Sequence, residues 1–149
     1  MNDQRVERVS GDDDLDAAFG VRHRVFVEGQ GVPVERELDG HDDEATHFLA
    51  FDGDTVVGTA RLREYDGPED DTRTAKVERV AVLEPHRGEG WGTRLMAAVE
   101  DHAREASYDR VLLHAQVPVV DFYEHLGYEA RGEEFADAGI PHRGMTKPL

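Results

Sequence analysis

Hydrophobic and polar positions along the chain fall into short blocks whose period switches between two and about three and a half. Residues 5–9 alternate, which predicts a first strand. Asp12-Asp13-Asp14 then offers N-cap residues for a helix whose inward positions, Leu15, Ala18, Phe19, Arg22 and Phe26, recur three or four apart. From residue 29 to 43 the pattern dissolves into Gly29-Gln30-Gly31-Val32-Pro33 and Asp39-Gly40-His41-Asp42-Asp43, predicting a long loop or a short broken helix of the kind that often carries function. Residues 46–51 and 55–63, divided by Asp52-Gly53-Asp54, read as a hairpin. A polar loop at 67–74 precedes a strand at 76–83, and a helix at 93–106 puts Trp91, Leu95, Val99, Ala103 and Ala106 on one buried stripe. A strand at 110–115, a short helix at 119–126, a turn at Gly127-Tyr128 into another strand, and a last strand at 144–147 complete the order. The loop at 135–142 separates the final two strands.

The sequence β, α, loop, β, β, β, α, β, α, β, β predicts an α/β fold with a twisted mixed sheet of six to seven strands and about four helices on its two faces. A strand, a crossover helix and a strand form one βαβ unit, so one parallel pair belongs around the central helix, with hairpins supplying antiparallel neighbours. With no internal repeat or linker, residues 1–149 read as one domain.

Charge changes this picture. The net charge is −16, from 33 acids against 17 bases, and only Lys76 and Lys147 are lysines. The arginines are dispersed among acids rather than gathered in a basic stripe, which argues against nucleic acid as a partner. An acidic, lysine-poor surface suits concentrated salt, where a Debye length of about 3 Å at 1 M relaxes self-repulsion; a halophilic protein with a salt requirement for stability is the expectation. There is no cysteine, so thiolate metal sites and a cysteine nucleophile are excluded. No signal-like or membrane-length apolar run occurs, which leads to the expectation of a cytoplasmic protein with no membrane partner. No metal is expected, because His41, Asp42, Asp43 and His47 have no recognised ligand spacing.

The most specific chemistry lies in Arg87-Gly88-Glu89-Gly90-Trp91-Gly92, between the strand at 76–83 and the helix at 93–106. A helix N-terminus offers unpaired N–H groups and a positive dipole end, and glycine lets backbone approach a phosphate closely. The spacing is neither a dinucleotide fingerprint nor a P-loop, and a bare glycine turn capping a helix is the alternative. The hexapeptide resembles the acetyl-CoA pyrophosphate loop of the GNAT superfamily of N-acetyltransferases. Arg79-Val80-Ala81-Val82, Pro85, and Phe122-Tyr123-Glu124-His125-Leu126-Gly127-Tyr128 resemble later segments of the same superfamily, in the right order. Val21-Arg22, Val25-Phe26-Val27, Gln30-Gly31-Val32-Pro33, Glu37, Asp39, His114-Ala115-Gln116 and Ala138-Gly139-Ile140-Pro141-His142 resemble a narrower branch, typified by ElaA and YjcF proteins. Gly29 departs from it, standing where an acid is expected.

The resemblance implies direct transfer of an acetyl group from acetyl-CoA to an amine, with a small-molecule amine as acceptor. It implies cofactor contacts at Val80, Ala81, Val82, Arg87, Gly88, Glu89, Gly90, Trp91, Gly92 and Thr93, with backbone N–H groups of Val80 and Val82 facing the thioester. It places Tyr123 as general acid for the departing thiolate and Glu78 as base, the alternatives being a core aromatic and an exposed strand carboxylate. By the period of two, Glu78 lies opposite Val77, Arg79 and Ala81. His114 and Gln116 share one strand face and, with Arg22, Phe26, Gln30 and His142, form the acceptor-side candidates; His114 is a second candidate base. A non-catalytic acyl-CoA-binding module and a protein lysine or N-terminal acetyltransferase stay open as other readings, as does a homodimer.

Overall fold

The computed structural model describes residues 3–65 and 72–149. Most of the predicted polar loop at 67–74 therefore lies outside the described residues. In chain order the strands are β1 (Gln4–Val9), β2 (Thr46–Asp52), β3 (Thr55–Tyr65), β4 (Thr74–Val82), β5 (Arg110–Gln116), β6 (Glu129–Asp137) and β7 (Ile140–Pro148). The helices are α1 (Asp12–Arg22), α2 (Val34–Glu37), α3 (Trp91–Glu105) and α4 (Val120–His125). The strands form one sheet in the order β1-β2-β3-β4-β5-β7-β6. Every neighbouring pair is antiparallel except β4 and β5, the parallel pair joined by α3.

The two faces of the sheet are covered by different helices. On one, Leu95, Met96, Val99 and Ala103 of α3 pack on Phe48, Ala50, Leu62, Ala75 and Val77 in a cluster that also takes in Trp91 and Tyr123. On the other, Val21 of α1 and Val25 form a smaller cluster with Ala81. Because both faces are covered, β3 reads as a continuous buried run from Val57 to Leu62 rather than an alternation.

Local structure departs from the sequence expectations at four places. Gly11 caps α1 in an extended conformation, and the Asp12-Asp13-Asp14 triplet fills the first turn, where it faces the positive end of the helix. The helix then widens into a π-helix at His23–Glu28, which rotates Val25 inward. The α3 stripe ends at Ala103 and includes Glu100 rather than Ala106, because Tyr128 donates a 2.9 Å hydrogen bond and Lys147 a 2.7 Å one to the buried Glu100 carboxylate. The expected loop at 135–142 is a hairpin: β6 runs to Asp137 and β7 begins at Ile140, with Ala138 and Gly139 both at positive φ.

Two irregularities in β4 position the site. Parallel pairing with β5 extends only from Thr74–Arg110 to Val77–Leu113, although both strands continue, so they splay. Opposite β3, Thr59 pairs with Ala81 but Arg61 pairs with Glu78, a bulge of one extra residue at which Arg79 adopts φ 59°. The bulge flips the alternation. Val77, Val80 and Val82 pack on the α3 face, whereas Ala81 joins the α1 face. The period-two expectation that Ala81 shares a face with Val77 is corrected accordingly.

Candidate active site

A cavity of about 830 Å³ occupies the splay between β4 and β5. Its walls are β4 from Lys76 to Val82, β5 from Leu113 to Gln116, the segment around Phe26 and Gln30, and the β6–β7 hairpin near His142.

At one end the wall is backbone. Leu83 donates to the Val57 carbonyl across β3, so the ladder's alternation turns the N–H and carbonyl of Val82 toward the splay. The Val82 carbonyl accepts a 2.9 Å hydrogen bond from Arg87 Nε, tethering the glycine-rich loop to the strand end. Gly88 and Gly90 adopt φ +80° and +87°, which a side chain would resist. No side chain caps α3, whose ladder begins with Arg94 donating to Gly90, leaving the first-turn N–H groups of Trp91, Gly92 and Thr93 for a ligand. Gly92 serves packing instead: a Cβ there would lie 3.1 Å from the Phe122 ring. Arg87, Gly88 and Gly92 border the cavity, while Glu89, Gly90, Trp91 and Thr93 do not. The Trp91 side chain is buried in the core, its indole Nε1 without a hydrogen-bond partner among the described residues, so only its backbone N–H is left for a ligand.

Tyr123 projects from α4 into the middle of the cleft, its ring edge-on to Phe122 and Tyr128 at 4.9 and 5.8 Å. The Tyr128 hydroxyl is satisfied by Glu100. The Tyr123 hydroxyl makes no hydrogen bond among the described residues, and burial pushes its pKa up to about 12, keeping it a neutral donor. Tyr123 is thus a ring of the core cluster whose hydroxyl, unlike that of Tyr128, has no partner among the described residues.

At the other end the wall is charged. Glu78 is not an exposed carboxylate: its side chain is 10% exposed, beside Arg63, Arg61 at 3.2 Å and Lys76 at 3.7 Å. Burial raises its pKa, but the Arg63 hydrogen bond and the charges of Arg61 and Lys76 outweigh that and hold it below the usual value. A carboxylate so held accepts a proton poorly, which weakens the expectation of Glu78 as direct base. Arg22 is also reassigned. It is 1% exposed, pairs with Glu37 at 2.9 Å and Asp42 at 2.6 Å, and does not border the cavity. Arg61 joins Asp39 and Asp42 at 2.7 and 3.0 Å, and Arg79 joins Glu37 at 2.6 Å. This network pins the 34–42 segment onto the sheet.

The remaining acceptor-side candidates do converge. Gln30 and Gln116 exchange hydrogen bonds of 3.3 and 2.9 Å across the mouth, and Arg36 pairs with Asp137 at 3.1 Å. The Phe135 ring meets His114 edge-on at 4.9 Å and stacks on His142 at 5.9 Å. His142 Nδ1 lies 2.7 Å from the Ile140 carbonyl, which orients the ring. Burial, then the charge of Lys76, lowers the His114 pKa, so its imidazole is neutral at pH 7. Phe26 also borders the cavity. At Gly29 a Cβ would fall 2.5 Å from the Val25 carbonyl, so the π-helical backbone here accommodates glycine and not the expected acid.

Sequence reasoning missed Arg61, Arg63, Lys76 and Arg79 as site residues. A signal was present: two arginines at a spacing of two inside an apolar strand, Ala60-Arg61-Leu62-Arg63, must find buried carboxylates.

A mixed sheet opened between its two parallel strands, with an uncapped helix at one side of the gap, defines an acyltransferase architecture. A family model described as the acetyltransferase (GNAT) domain matches residues 21–149, and the chain belongs to this family of N-acetyltransferases. Its relatives lie in the ElaA/YjcF-like branch. The chain is 41% identical over 137 residues to the uncharacterized N-acetyltransferase YjcF of Bacillus subtilis, covering 91% of this chain and 94% of that protein. The crystal structure of Escherichia coli ElaA is similar with a TM-score of 0.83 and 30% identity over 99% of both chains. An acyl-CoA N-acyltransferase from Pseudomonas aeruginosa gives 0.83 and 26% over 99% of both. Among the described residues no helix is long and apolar enough to cross a membrane.

Proposed function

We propose that this protein transfers an acetyl group from acetyl-CoA directly to a primary amine of a small molecule, with both substrates bound in the cleft at once. The observation that carries the reading is the Tyr123 hydroxyl, without a partner among the described residues, in the wall of the 830 Å³ cavity, opposite a strand edge whose N–H groups are turned into the gap. The residues present fit the cofactor: a glycine turn at positive φ and a free helix N-terminus suit a pyrophosphate, and an open strand edge suits the amides of a pantetheine arm. When bound, acetyl-CoA supplies the activated acyl carbon as a thioester.

The chain's own groups do the rest. The N–H of Val82, with that of Val80 two residues back, stabilises negative charge developing on the acyl oxygen, an effect worth about 2.7–4 kcal/mol per donor. Tyr123 gives its proton to the leaving sulfur. The acceptor must first lose a proton, since an ammonium has no lone pair, and its unperturbed pKa near 10 leaves little free amine at pH 7. Of the two candidate bases, Glu78 has its oxygens engaged by three cations, whereas His114 is neutral and borders the cavity. His114 therefore takes the proton, and Glu78 holds Arg63 and Lys76 in place. The bridges Gln30–Gln116 and Arg36–Asp137 cross the acceptor end and favour a small molecule over a peptide.

The test is thiol release from acetyl-CoA with a panel of primary amines, confirmed by the product's added acetyl mass. Turnover supports the reading; tight acetyl-CoA binding with no release from any amine favours the non-catalytic module instead. The pH dependence of kcat separates the bases. With His114 the acid limb has its midpoint below 6.5, the ordinary imidazole value, and vanishes in His114→Gln. With Glu78 it lies below 4.5.

A further inference from the structure

Charges on the α1 face of the sheet do not cancel where they meet the cavity. Glu37, Asp39 and Asp42 are matched by Arg22, Arg61 and Arg79, each carboxylate lying within 2.9 Å of a guanidinium nitrogen. Glu78 is left with two cations of its own, Arg63 and Lys76, whose side chains are 18% and 14% exposed and which both border the cavity. Neither forms another ion pair among the described residues; the Lys76 ammonium otherwise only lies over the Tyr65 ring at 5.9 Å. Asp137 is engaged by Arg36, and Arg87, hydrogen-bonded to the Val82 carbonyl, lies at the opposite end of the cleft beside the glycine loop. Among the described residues one half-buried positive charge is therefore unmatched, at the acceptor end, in a chain of net charge −16. Burial, with the neighbouring arginines working against the opposing charge of Glu78, lowers the Lys76 pKa.

We propose that the acceptor amine also carries a carboxylate, and that Arg63 and Lys76 are the specificity-determining residues that bind it. This rests on the acetyltransferase reading above. Arg63 spends its Nε on Glu78, so its terminal nitrogens are available as a planar fork for a second carboxylate, with the Lys76 ammonium as point charge beside it. The amine is then directed along β4 toward His114 and Tyr123. The same surplus charge repels an acceptor that is purely cationic, so the acidic outer surface does not predict what the cleft selects.

The test compares matched pairs, phenylalanine against phenethylamine and leucine against isopentylamine, by thiol release from acetyl-CoA. The carboxylate-bearing member of each pair has a kcat/KM at least about tenfold higher, as charge-assisted hydrogen bonds give. Lys76→Gln and Arg63→Gln reduce that ratio through the KM of the carboxylate-bearing member, and Lys76→Arg restores it. Lys76→Gln leaves Arg63 and Glu78 matched one to one, so this variant folds, which its Tm verifies. Equal rates, or preference for the decarboxylated amine, overturn the inference while leaving the acetyltransferase reading intact. If no amine is turned over, calorimetry with CoA present decides: tighter binding of phenylalanine than phenethylamine, lost in Lys76→Gln, supports the inference, and equal or weaker binding overturns it.

Discussion

The two ends of the cleft are built from opposite materials. At the cofactor end the groups aimed at the ligand are backbone: the Val82 N–H, the uncapped first turn of α3, and glycines at positive φ, with Arg87 the one cation on the loop. At the acceptor end the wall belongs to a side-chain network of five cations and four carboxylates drawn from α1, the 34–42 segment, β3 and β4, of which Glu37, Asp39, Arg63, Lys76, Glu78 and Arg79 border the cavity. A strongly acidic chain can hold a polyanion only if something other than its average charge faces it, and peptide dipoles supply that. A cluster of buried side chains can instead discriminate among small acceptors, because an unmatched charge in low dielectric weighs heavily.

That comparison breaks most sharply under mutation of its charged end. Arg61→Met removes the 2.7 and 3.0 Å partner of Asp39 and Asp42, which keep only Arg79 at 3.3 Å and Arg22 at 2.6 Å, and costs about 1–3 kcal/mol of stability, as leaving buried hydrogen-bonding groups unmade does; denaturant unfolding reads this out. An effect under about 1 kcal/mol means the network is as weak as surface pairs. At the backbone end, Gly90→Ala forces a Cβ into a left-handed conformation at about 1–2 kcal/mol, and the account expects the cost chiefly as weaker acetyl-CoA binding, about tenfold by calorimetry.

Acid sharpens the contrast. The folded-state pKa values of Asp39, Asp42 and Glu78 are lowered by their arginines, so their contribution is complete above the unfolded values of 3.8–4.5 and is lost as pH falls through the folded ones. Unfolding monitored from pH 7 to pH 2 therefore shows stability falling below about pH 4, less steeply in Arg61→Met, where the shifts are smaller. The smallest expected effect is that of salt. Added KCl raises Tm by relieving surface repulsion, and a Tm equal in dilute buffer and in 2 M KCl removes the halophilic reading.

The same contrast explains what could be read in the sequence. The glycine loop and the helix after it are contiguous, so residue type and spacing reported them directly, the Tyr123 segment was placed by resemblance, and the order of strands and helices followed from period and turn residues. The charged end draws on residues 22 to 79, and nothing in the local pattern says that Arg22 turns toward Glu37 rather than toward a substrate. The β4 bulge was equally invisible. A period of two assumes an unbroken ladder, and one extra residue at Arg79 moved Ala81 to the other face. Phe26, Gln30, His114, Gln116 and His142 were placed near the site through resemblance, and the cavity brings them together.

The central claim is that the cleft holds its cofactor by backbone and performs chemistry through Tyr123. It is tested most directly by Tyr123→Phe, with acetyl-CoA affinity from calorimetry and turnover from thiol release measured on the same preparation. The account predicts a dissociation constant within about twofold of the wild type and a kcat lower by about 100-fold or more, the scale of general acid catalysis. Unchanged turnover, or affinity and turnover falling together, contradicts it.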